Sequence, residues 1–333
     1  MQSNKNNLTI MVKLMPLFFV MLLGLTNISV PLIGKPCIQV VPGGAVELFW
    51  GQVKRGAEDA GRDYGYSIYF RGAKTSSAGK EQQRIVNMTD EIGCKALVLA
   101  PSANYDKDVA RLHKLGIPVV FIDRSVGNTK LTSLVATNNY NAGYEAGLYM
   151  AERLGWSGRI VVLRLRKGVS STDFREKGFI DAATNLGLTI IDAPYIGDNV
   201  AEGRKNTKDI LSKYSGEIDG IFTPNETTSS SLLLALEQLT PNKSMVNIGF
   251  DVSQRLIDGL NKNIFTALVV QRPYRIGYVG VTTAINNIIE KGDVKFLDTG
   301  HILVTTYNIK TKSITDELKL NYPTLIIRTG RDD

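Results

Sequence analysis

The strongest constraint on the fold is an alternation between short apolar runs and longer amphipathic segments, which begins after residue 37. Apolar runs of about 4–8 residues between turn residues are typical of strands buried on both faces. Strands that alternate with helices at this spacing predict parallel sheets covered by helices, an α/β fold. The ten predicted strands are 38–42, 66–70, 95–100, 117–122, 133–136, 159–163, 188–191, 219–222, 245–248 and 266–270.

The number of strands predicts how many domains the chain forms. Ten strands are many for one twisted sheet, so we predict two sheets of about five strands each. No linker rich in Pro, Ser or Gly separates the two halves, which indicates that the chain crosses between the domains more than once. The predicted helices are 46–62, 79–92, 106–115, 140–154, 174–186, 202–214, 228–239, 253–261 and 275–290.

The amino terminus reads as an export signal. Lys5 and Lys13 precede the apolar run "LMPLFFVMLLGL" at 14–25, which is shorter than the roughly 20 residues of a membrane span. We therefore predict that residues 1–36 are a signal peptide and short leader. The cleavage motif is poor, so an uncleaved anchor is the alternative, and the residues before Cys37 do not form a lipid-attachment motif.

The only two cysteines, Cys37 and Cys94, are too far apart for a C-x-x-C redox or zinc motif. Each lies just before a predicted strand, the first and the third. If the sheet has the strand order 2-1-3, the two cysteines lie at the same end of neighbouring strands and can form a disulfide in an oxidising compartment. Two separate buried thiols are the alternative.

Several function classes lack their signals. The 39 Lys and Arg against 32 Asp and Glu give a net charge of +7, but no basic block with interleaved aromatic residues predicts nucleic-acid binding. The nucleophile elbow, the P-loop and a G-x-G-x-x-G after the first strand are missing. With only two histidines and two cysteines, the chain has few of the side chains that bind structural metal ions. We therefore predict a binding protein with no cofactor and no metal, not an enzyme.

Polar side chains follow the predicted strands, at the edge where open α/β sheets bind their ligands. Asp123 and Arg124 come directly after the apolar strand "IPVVFI", and a surface ion pair is the alternative interpretation. Carboxylates, guanidinium groups and amides can donate to and accept from hydroxyl groups, and aromatic faces can meet the apolar face of a sugar ring. The other candidates at these edges are Glu47, Phe49, Trp50, Arg175, Asn225, Asp251 and Gln271.

Six of these other candidates also have a structural interpretation. Asn225, Asp251 and Gln271 are candidates for helix or turn caps. Phe49 and Trp50 can be core residues, and Glu47 can stabilise the first turn of a helix through its dipole.

Several motifs together resemble the periplasmic solute-binding proteins of the ribose-binding type, which share their fold with the effector domains of LacI-like repressors. The motifs are "FWGQVKRGAEDAGRDYG", "PVVFIDRSV", "VATNNYNAGYEAG", "FREKGF", "IFTPNETTSSSLLLAL", "IGFDVS" and "VVQRPYRIGYVGV", within residues 38–310. The resemblance implies a type I periplasmic-binding-protein fold, with two doubly wound parallel-sheet lobes joined by a three-crossing hinge. It places 37–137 plus 273–300 in the N-terminal lobe and 138–272 plus 301–325 in the C-terminal lobe, with a tail at 326–333.

The resemblance also assigns roles to the candidates. It implies that Asp123 and Arg124 grip sugar hydroxyls and that Phe49 and Trp50 sandwich the ring. The matching positions in the other lobe are Arg175, Asn225, Asp251 and Gln271. Glu47 and Ala100 replace asparagines of the ribose-type pattern, so the identity of the sugar stays open.

The predicted function is that of an exported, monomeric binding protein in the periplasm. It captures a monosaccharide or similar polyol between its lobes, closes by hinge motion and delivers the ligand to the permease of an ABC transporter. The alternative is a sugar-sensing partner of a membrane receptor or histidine kinase. A LacI-like repressor is disfavoured because an apolar export segment occupies the place of a helix-turn-helix, and a glycoside-modifying enzyme is disfavoured because the candidate carboxylates have Arg or amide partners that keep them ionised.

Overall fold

The computed structural model describes residues 34–44, 48–74, 79–127, 132–239, 244–290 and 294–327. Most of the predicted signal segment 1–36, the candidate Glu47 and most of the tail 326–333 lie outside these residues. Within the described ranges, no helix is both long enough and apolar enough to cross a membrane.

The strands form two six-stranded sheets. Strands of the first sheet are β1 (Cys37–Val41), β2 (Ser67–Phe70), β3 (Ala96–Leu99), β4 (Val119–Ile122), β5 (Ser133–Ala136) and β11 (Phe296–Asp298), in the order β11-β5-β4-β3-β1-β2. Strands of the second sheet are β6 (Gly158–Val162), β7 (Leu188–Asp192), β8 (Gly220–Phe222), β9 (Val246–Phe250), β10 (Ala267–Gln271) and β12 (His301–Thr305), in the order β12-β10-β9-β8-β6-β7.

Helices connect the strands and cover both faces of each sheet. They are α1 (Leu48–Tyr64), α2 (Gly79–Glu91), α3 (Asp106–Lys114), α4 (Asn139–Arg153), α5 (Ser170–Asn185), α6 (Val200–Lys213), α7 (Glu226–Leu236), α8 (Gln254–Asn261), α9 (Pro273–Glu290) and α10 (Lys312–Asn321). Each sheet lies between two apolar clusters, one on each face. The predicted doubly wound α/β class is therefore confirmed.

All ten predicted strands are present, but two strands and the last helix were not predicted. β11 is a three-residue edge strand, and only Thr299 and Gly300 separate it from β12. β12 runs antiparallel to β10, so the second sheet is not purely parallel as predicted. β11 is too short to show the continuous apolar run that marks the central strands, whereas β12 contains the apolar run "ILV" at 302–304, which sequence reasoning missed.

The chain crosses between the two sheets three times among the described residues. It leaves the first sheet after Ala136, returns after Gln271 through α9, and crosses again between Asp298 and His301. α9 packs its apolar residues into the core of the first sheet. We term the first sheet with α1–α3 and α9 the first lobe, and the second sheet with α4–α8 and α10 the second lobe.

A disulfide joins Cys37 and Cys94 in the first lobe. Cys37 is the first residue of β1, and Cys94 lies just before β3, which pairs with β1 in parallel. The observed order β2-β1-β3 agrees with the order 2-1-3 on which the predicted pairing depended. The two Cα atoms are 4.6 Å apart, so the bond ties together the amino ends of two neighbouring strands.

Candidate functional site

A cleft of about 420 Å³ opens between the two lobes, at the carboxyl ends of both sheets. Eight of the nine predicted ligand-binding residues line it; the ninth, Glu47, is outside the described residues. The eight are Phe49, Trp50, Asp123, Arg124, Arg175, Asn225, Asp251 and Gln271. The structure therefore brings together side chains from both lobes that are distant in the sequence.

Asp123 and Arg124 form an ion pair on the first-lobe side of the cleft. Arg124 Nε donates to Asp123 Oδ2 over 2.9 Å, and the two side chains are only 13% and 6% exposed. This burial is greater than a surface ion pair has, so that alternative is wrong. Asp123 has a φ of 64°, a left-handed conformation that Asp adopts more readily than most residues.

Gly43 makes room for the Arg124 side chain. A Cβ atom at this position would lie 2.7 Å from Arg124 Nη2 and 3.0 Å from Trp50 Cζ2. Glycine here therefore leaves the space in which the guanidinium group lies beside the indole ring.

The second lobe repeats the arrangement with residues from different elements. Asp251 follows β9 with a φ of 66°, and its Oδ1 accepts a hydrogen bond of 2.7 Å from Gln271 Nε2. Its Oδ2 accepts from the backbone N–H of Glu226, at the start of α7, and lies 3.9 Å from Arg175 Nη1. The carboxylate is thus held by an amide, a helix N-terminus and a nearby guanidinium group.

Arg175 is a buried residue of the cleft wall, and contacts with its neighbours fix its guanidinium group. Its Nε donates to Asn139 Oδ1 over 2.8 Å, its Nη1 donates to the carbonyl of Pro224 over 2.9 Å, and its guanidinium carbon lies 3.8 Å from the centroid of the Phe250 ring. Gly143 lets α4 approach α5 closely here. A Cβ atom at this position would lie only 2.0 Å from the Arg175 carbonyl oxygen. Backbone packing therefore sets the position of this arginine.

Two buried polar atoms of this cluster have no hydrogen-bond partner among the described residues. They are Arg175 Nη2, a donor, and Gln271 Oε1, an acceptor, and each side chain belongs to a residue that is 2% exposed. Leaving such a group unpaired costs about 1–3 kcal/mol. Ligand hydroxyls can satisfy both atoms, because a hydroxyl group can accept as well as donate a hydrogen bond.

Burial and charge act in opposite directions on this cluster. Burial lowers the pKa of Arg175, and the charges of Asp251 and Asp123 oppose that change. Burial raises the pKa of the Asp251 carboxyl, and Arg175 and the hydrogen bond from Gln271 oppose that rise. Since an arginine keeps its proton in proteins, the site holds a permanent buried cation beside a carboxylate.

Asn225 combines the two roles considered for it. Its Oδ1 accepts from the backbone N–H and the hydroxyl of Thr228, in a capping box at the start of α7. Because Oδ1 is occupied by the cap, the Nδ2 amide is the group that Asn225 can offer to a ligand. Gln271 ends β10, and its described side-chain hydrogen bond goes to Asp251 and not to a helix end.

Phe49 and Trp50 are the aromatic residues that line the described part of the cleft. Trp50 is 9% exposed and belongs to the apolar core of the first lobe, whereas Phe49 is partly buried. Their ring planes meet at 88° with centroids 5.0 Å apart, so this pair offers one face and one edge. Two perpendicular rings cannot sandwich a sugar ring between parallel faces as the resemblance implied, although a sugar can stack on one of them.

Sequence reasoning missed several lining residues. Lys74 follows β2, Arg166 follows β6, and Asp198 follows β7, and all three line the cleft. Like the predicted residues, Arg166 and Asp198 come after the carboxyl end of a strand. This position in the sequence could have identified them as candidates. Asn139, which holds Arg175, had the same signal.

A second buried ion pair lies next to Arg175. Arg164 Nε donates to Glu176 Oε2 over 2.7 Å, and the Arg164 guanidinium carbon lies 4.1 Å from the centroid of the Tyr195 ring. Glu176 is 1% exposed, and burial raises its pKa to about 6 against the opposing effect of Arg164. No group of three or more metal-binding side chains occurs in the described part of the chain.

Residues 38–292 match the family model of the periplasmic binding protein domain. The chain is 26% identical over 238 residues to the ribose import binding protein RbsB of Haemophilus influenzae, which covers 71% of this chain and 80% of that protein. A solved structure of the periplasmic component of an ABC-type sugar transport system from Hahella chejuensis has a TM-score of 0.75 at 34% identity, covering 81% of this chain and 100% of that one. An ABC transporter solute-binding protein from Agrobacterium vitis, solved with bound D-fucose, has a TM-score of 0.78 at 30% identity, covering 84% and 99%.

Proposed function

This chain belongs to the periplasmic binding protein family, of the ribose-binding type, and on that premise we propose that it binds a sugar in the cleft and delivers it to an ABC transporter. The observation that carries the proposal is the pair of unpartnered buried atoms, Arg175 Nη2 and Gln271 Oε1, in a cleft that both lobes line. The hydroxyl groups of a sugar can supply both the missing acceptor and the missing donor.

The charge balance of the cleft supports a neutral ligand. Four carboxylates and four basic groups line its described part, so their formal charges cancel; they are Asp123, Asp198, Glu226 and Asp251 against Lys74, Arg124, Arg166 and Arg175. A neutral polyhydroxyl compound can use both kinds of group, whereas a ligand with a strong net charge would meet repulsion from one of them.

We infer that the ligand-binding residues are Phe49, Trp50, Asp123, Arg124, Arg175, Asn225, Asp251 and Gln271, and Glu47 stays a prediction. Asp123 and Arg124 would bind hydroxyls from the first lobe. Arg175, Asp251 and Gln271 would bind from the second lobe, with Trp50 or Phe49 against the apolar face of the ring.

The proposal includes hinge motion between two rigid bodies, 37–137 plus 273–300 and 138–272 plus 301–325. Three chain crossings and a direct contact support it: Ser170 Oγ of the second lobe donates to the Ser125 carbonyl of the first lobe over 2.8 Å. A ligand held by both walls would favour the closed arrangement. One chain supplies both walls, which is consistent with a monomer.

Export to the periplasm is part of the same proposal. The predicted signal segment, the family and the disulfide support it, since disulfides persist in oxidising compartments. The relatives carry names of import proteins and transport systems, which favours transport over sensing.

The test is calorimetric titration and thermal unfolding of the mature protein against pentoses, hexoses, 6-deoxyhexoses and inositols. A sugar that binds only the folded state should raise the free energy of unfolding by about 2.7 kcal/mol at a hundredfold excess over Kd. Recovery of the sugar unchanged after incubation separates binding from turnover. If no polyol shifts the unfolding transition, the proposal fails.

A further inference from the structure

The first and third chain crossings lie side by side and are joined by hydrogen bonds. The first crossing follows Ala136, and the third follows Asp298, which is the register partner of Ala136 in the parallel pair of β5 and β11. The N–H of Thr299 donates to the carbonyl of Ala136 over 3.0 Å, and the Thr137 hydroxyl donates to the carbonyl of Gly300 over 3.4 Å. Two of the segments that connect the lobes are thus tied to each other.

Asp298 extends this connection from one lobe to the other. It is the last residue of β11 in the first lobe, and its Oδ1 accepts from the N–H of Asn138 over 2.9 Å and from the N–H of Gly300 over 2.8 Å. Asn138 is the N-cap of α4 in the second lobe, where its own Oδ1 accepts from the N–H of Asn141. A carboxylate of the first lobe therefore holds the N-cap of a second-lobe helix, at the end where the helix dipole favours negative charge.

The start of α4 leads directly to the sugar site. The residue after the N-cap is Asn139, whose Oδ1 accepts from Arg175 Nε over 2.8 Å. Arg175 lines the cleft, and its Nη2 is one of the two unpartnered buried atoms. Because Asn139 and Arg175 are both buried, a movement of the α4 N-terminus relative to β11 moves this arginine relative to the first lobe.

The third crossing also contacts the second crossing. Gly300 has a φ of 75°, and a Cβ atom at this position would lie 2.6 Å from Arg272 Nη1. Arg272 directly follows Gln271, and its Nε donates to Glu317 Oε2 on α10 over 2.9 Å. The segment that Asp298 holds therefore packs against the residue next to Gln271.

These contacts occur in an arrangement in which the lobes touch beside the cleft. Ser170 Oγ donates to the Ser125 carbonyl over 2.8 Å, and the N–H of Ser125 donates to Ser170 Oγ over 3.3 Å. The hydrogen bond between Asp298 and Asn138 also joins the lobes, so its length and angle depend on how far the lobes are rotated apart. Asp298 itself does not line the described part of the cleft.

We propose that Asp298 is a positioning residue for sugar binding, which stabilises the closed arrangement by holding the α4 N-terminus, and through it Arg175, against the first lobe. This inference rests on the proposed function and names a residue that controls closure of the same site. When the arrangement that binds a ligand becomes less populated, the apparent affinity falls by the same factor, although no contact with the ligand is lost.

The test is calorimetric titration and stopped-flow binding of the wild type, Asp298→Ala and Asp298→Asn, with a sugar that binds the wild type. Asp298→Ala removes the acceptor of both N–H groups, and we expect about fivefold weaker binding, a difference of about 1 kcal/mol. The loss should appear mainly as faster release, because the encounter with the open form is unchanged. Asp298→Asn keeps an oxygen that can accept from both N–H groups, so its affinity and release rate should stay within about twofold of the wild type.

Asp209→Ala is the matched control. Asp209 is an exposed acid on α6, and its ion pair with Lys205 lies within one helix. This variant should change neither the affinity nor the release rate. A binding stoichiometry of one in every variant shows that the variants are folded.

Two sets of results would overturn the inference. If Asp298→Ala binds and releases sugar as the wild type does, or if Asp298→Asn loses as much affinity as Asp298→Ala, the acceptor role of Asp298 is wrong and the proposed sugar-binding function stands. If the wild type binds no sugar, the proposed function itself fails, and this inference fails with it.

Discussion

Asp123→Asn and Asp251→Asn form a matched pair of substitutions that separates binding from stability. Each aspartate follows a central strand in the left-handed conformation, with φ of 64° and 66°, and Asn tolerates this conformation as well as Asp does. Each change is isosteric and removes one negative charge from the cleft. We expect both variants to bind sugar more weakly and only Asp251→Asn to fold much less stably.

The difference follows from what each carboxylate holds. Among the described contacts, the Asp123 side chain accepts one hydrogen bond, from Arg124, whose side chain is 13% exposed in the cleft. Asp251 accepts from Gln271 on one oxygen and from the Glu226 N–H on the other, and it lies beside Arg175, whose side chain is 2% exposed. Whichever way an asparagine amide turns at 251, its NH₂ group meets a donor.

The magnitudes can be estimated from these contacts. The Asp123–Arg124 pair is buried, but the amide oxygen of an asparagine at 123 can still accept the hydrogen bond from Arg124 Nε. Asp123→Asn should therefore lower the free energy of unfolding by about 1 kcal/mol, the difference between a charged and a neutral hydrogen bond. An unsatisfied buried donor costs about 1–3 kcal/mol, and removing one partner of a buried ion pair costs about 3–5 kcal/mol. Because Arg175 keeps its bonds to Asn139 and Pro224, we expect about 3 kcal/mol for Asp251→Asn.

The assay is urea unfolding of both variants without sugar, followed by calorimetric titration with the sugar that binds the wild type. Equal stability of the two variants, within about 0.5 kcal/mol, would refute the idea that Asp251 supports the buried cation. Wild-type affinity in Asp123→Asn would place the ligand away from the first-lobe pair.

Three further predictions concern the surroundings of the site. Gly43→Ala should fold but bind sugar more weakly, because its Cβ would lie 2.7 Å from Arg124 Nη2; unchanged affinity in a titration would contradict this. Burial raises the pKa of Glu176 from 4.5 to about 6, so the folded state holds this proton more tightly and stability should fall by up to about 2 kcal/mol as pH rises between these values. Glu176→Gln should remove that part of the pH dependence in thermal unfolding, and identical profiles would show that Glu176 does not cause it. Cys37→Ser with Cys94→Ser should lower the free energy of unfolding by up to about 4 kcal/mol, from the loop entropy of a crosslink 57 residues apart; equal urea midpoints would contradict this.

The sequence predicted the parts of the fold whose physical signals are local. The central strands are buried on both faces and therefore appear as continuous apolar runs, as in Val119–Ile122. β11 lacks this signal because it is three residues long, and β12 carries only the short apolar run "ILV" at 302–304 between polar residues. The antiparallel direction of β12 follows from the third crossing of the chain, which no local pattern records.

The site was predictable to a similar degree. Residues directly after a strand could be identified because parallel strands place their carboxyl ends at one edge of the sheet. The angle between the Phe49 and Trp50 rings could not, since side-chain packing in the first-lobe core determines it. The dual role of Asn225 was also hidden, because one amide both caps a helix and faces the cleft.

The two aspartates show how far sequence adjacency can mislead about partners. Asp123 N–H donates to Val135 O, and Asp251 N–H donates to Val269 O, so each aspartate is fixed by the neighbouring strand in the same way. In the first lobe the arginine partner is the next residue in the chain, and the pair is visible in the sequence as "DR". In the second lobe the arginine comes from α5, so only the folded chain reveals that both lobes place a carboxylate and a guanidinium group at the cleft. A ligand that binds both sites must therefore contact both lobes, which is the condition for sugar binding to favour closure.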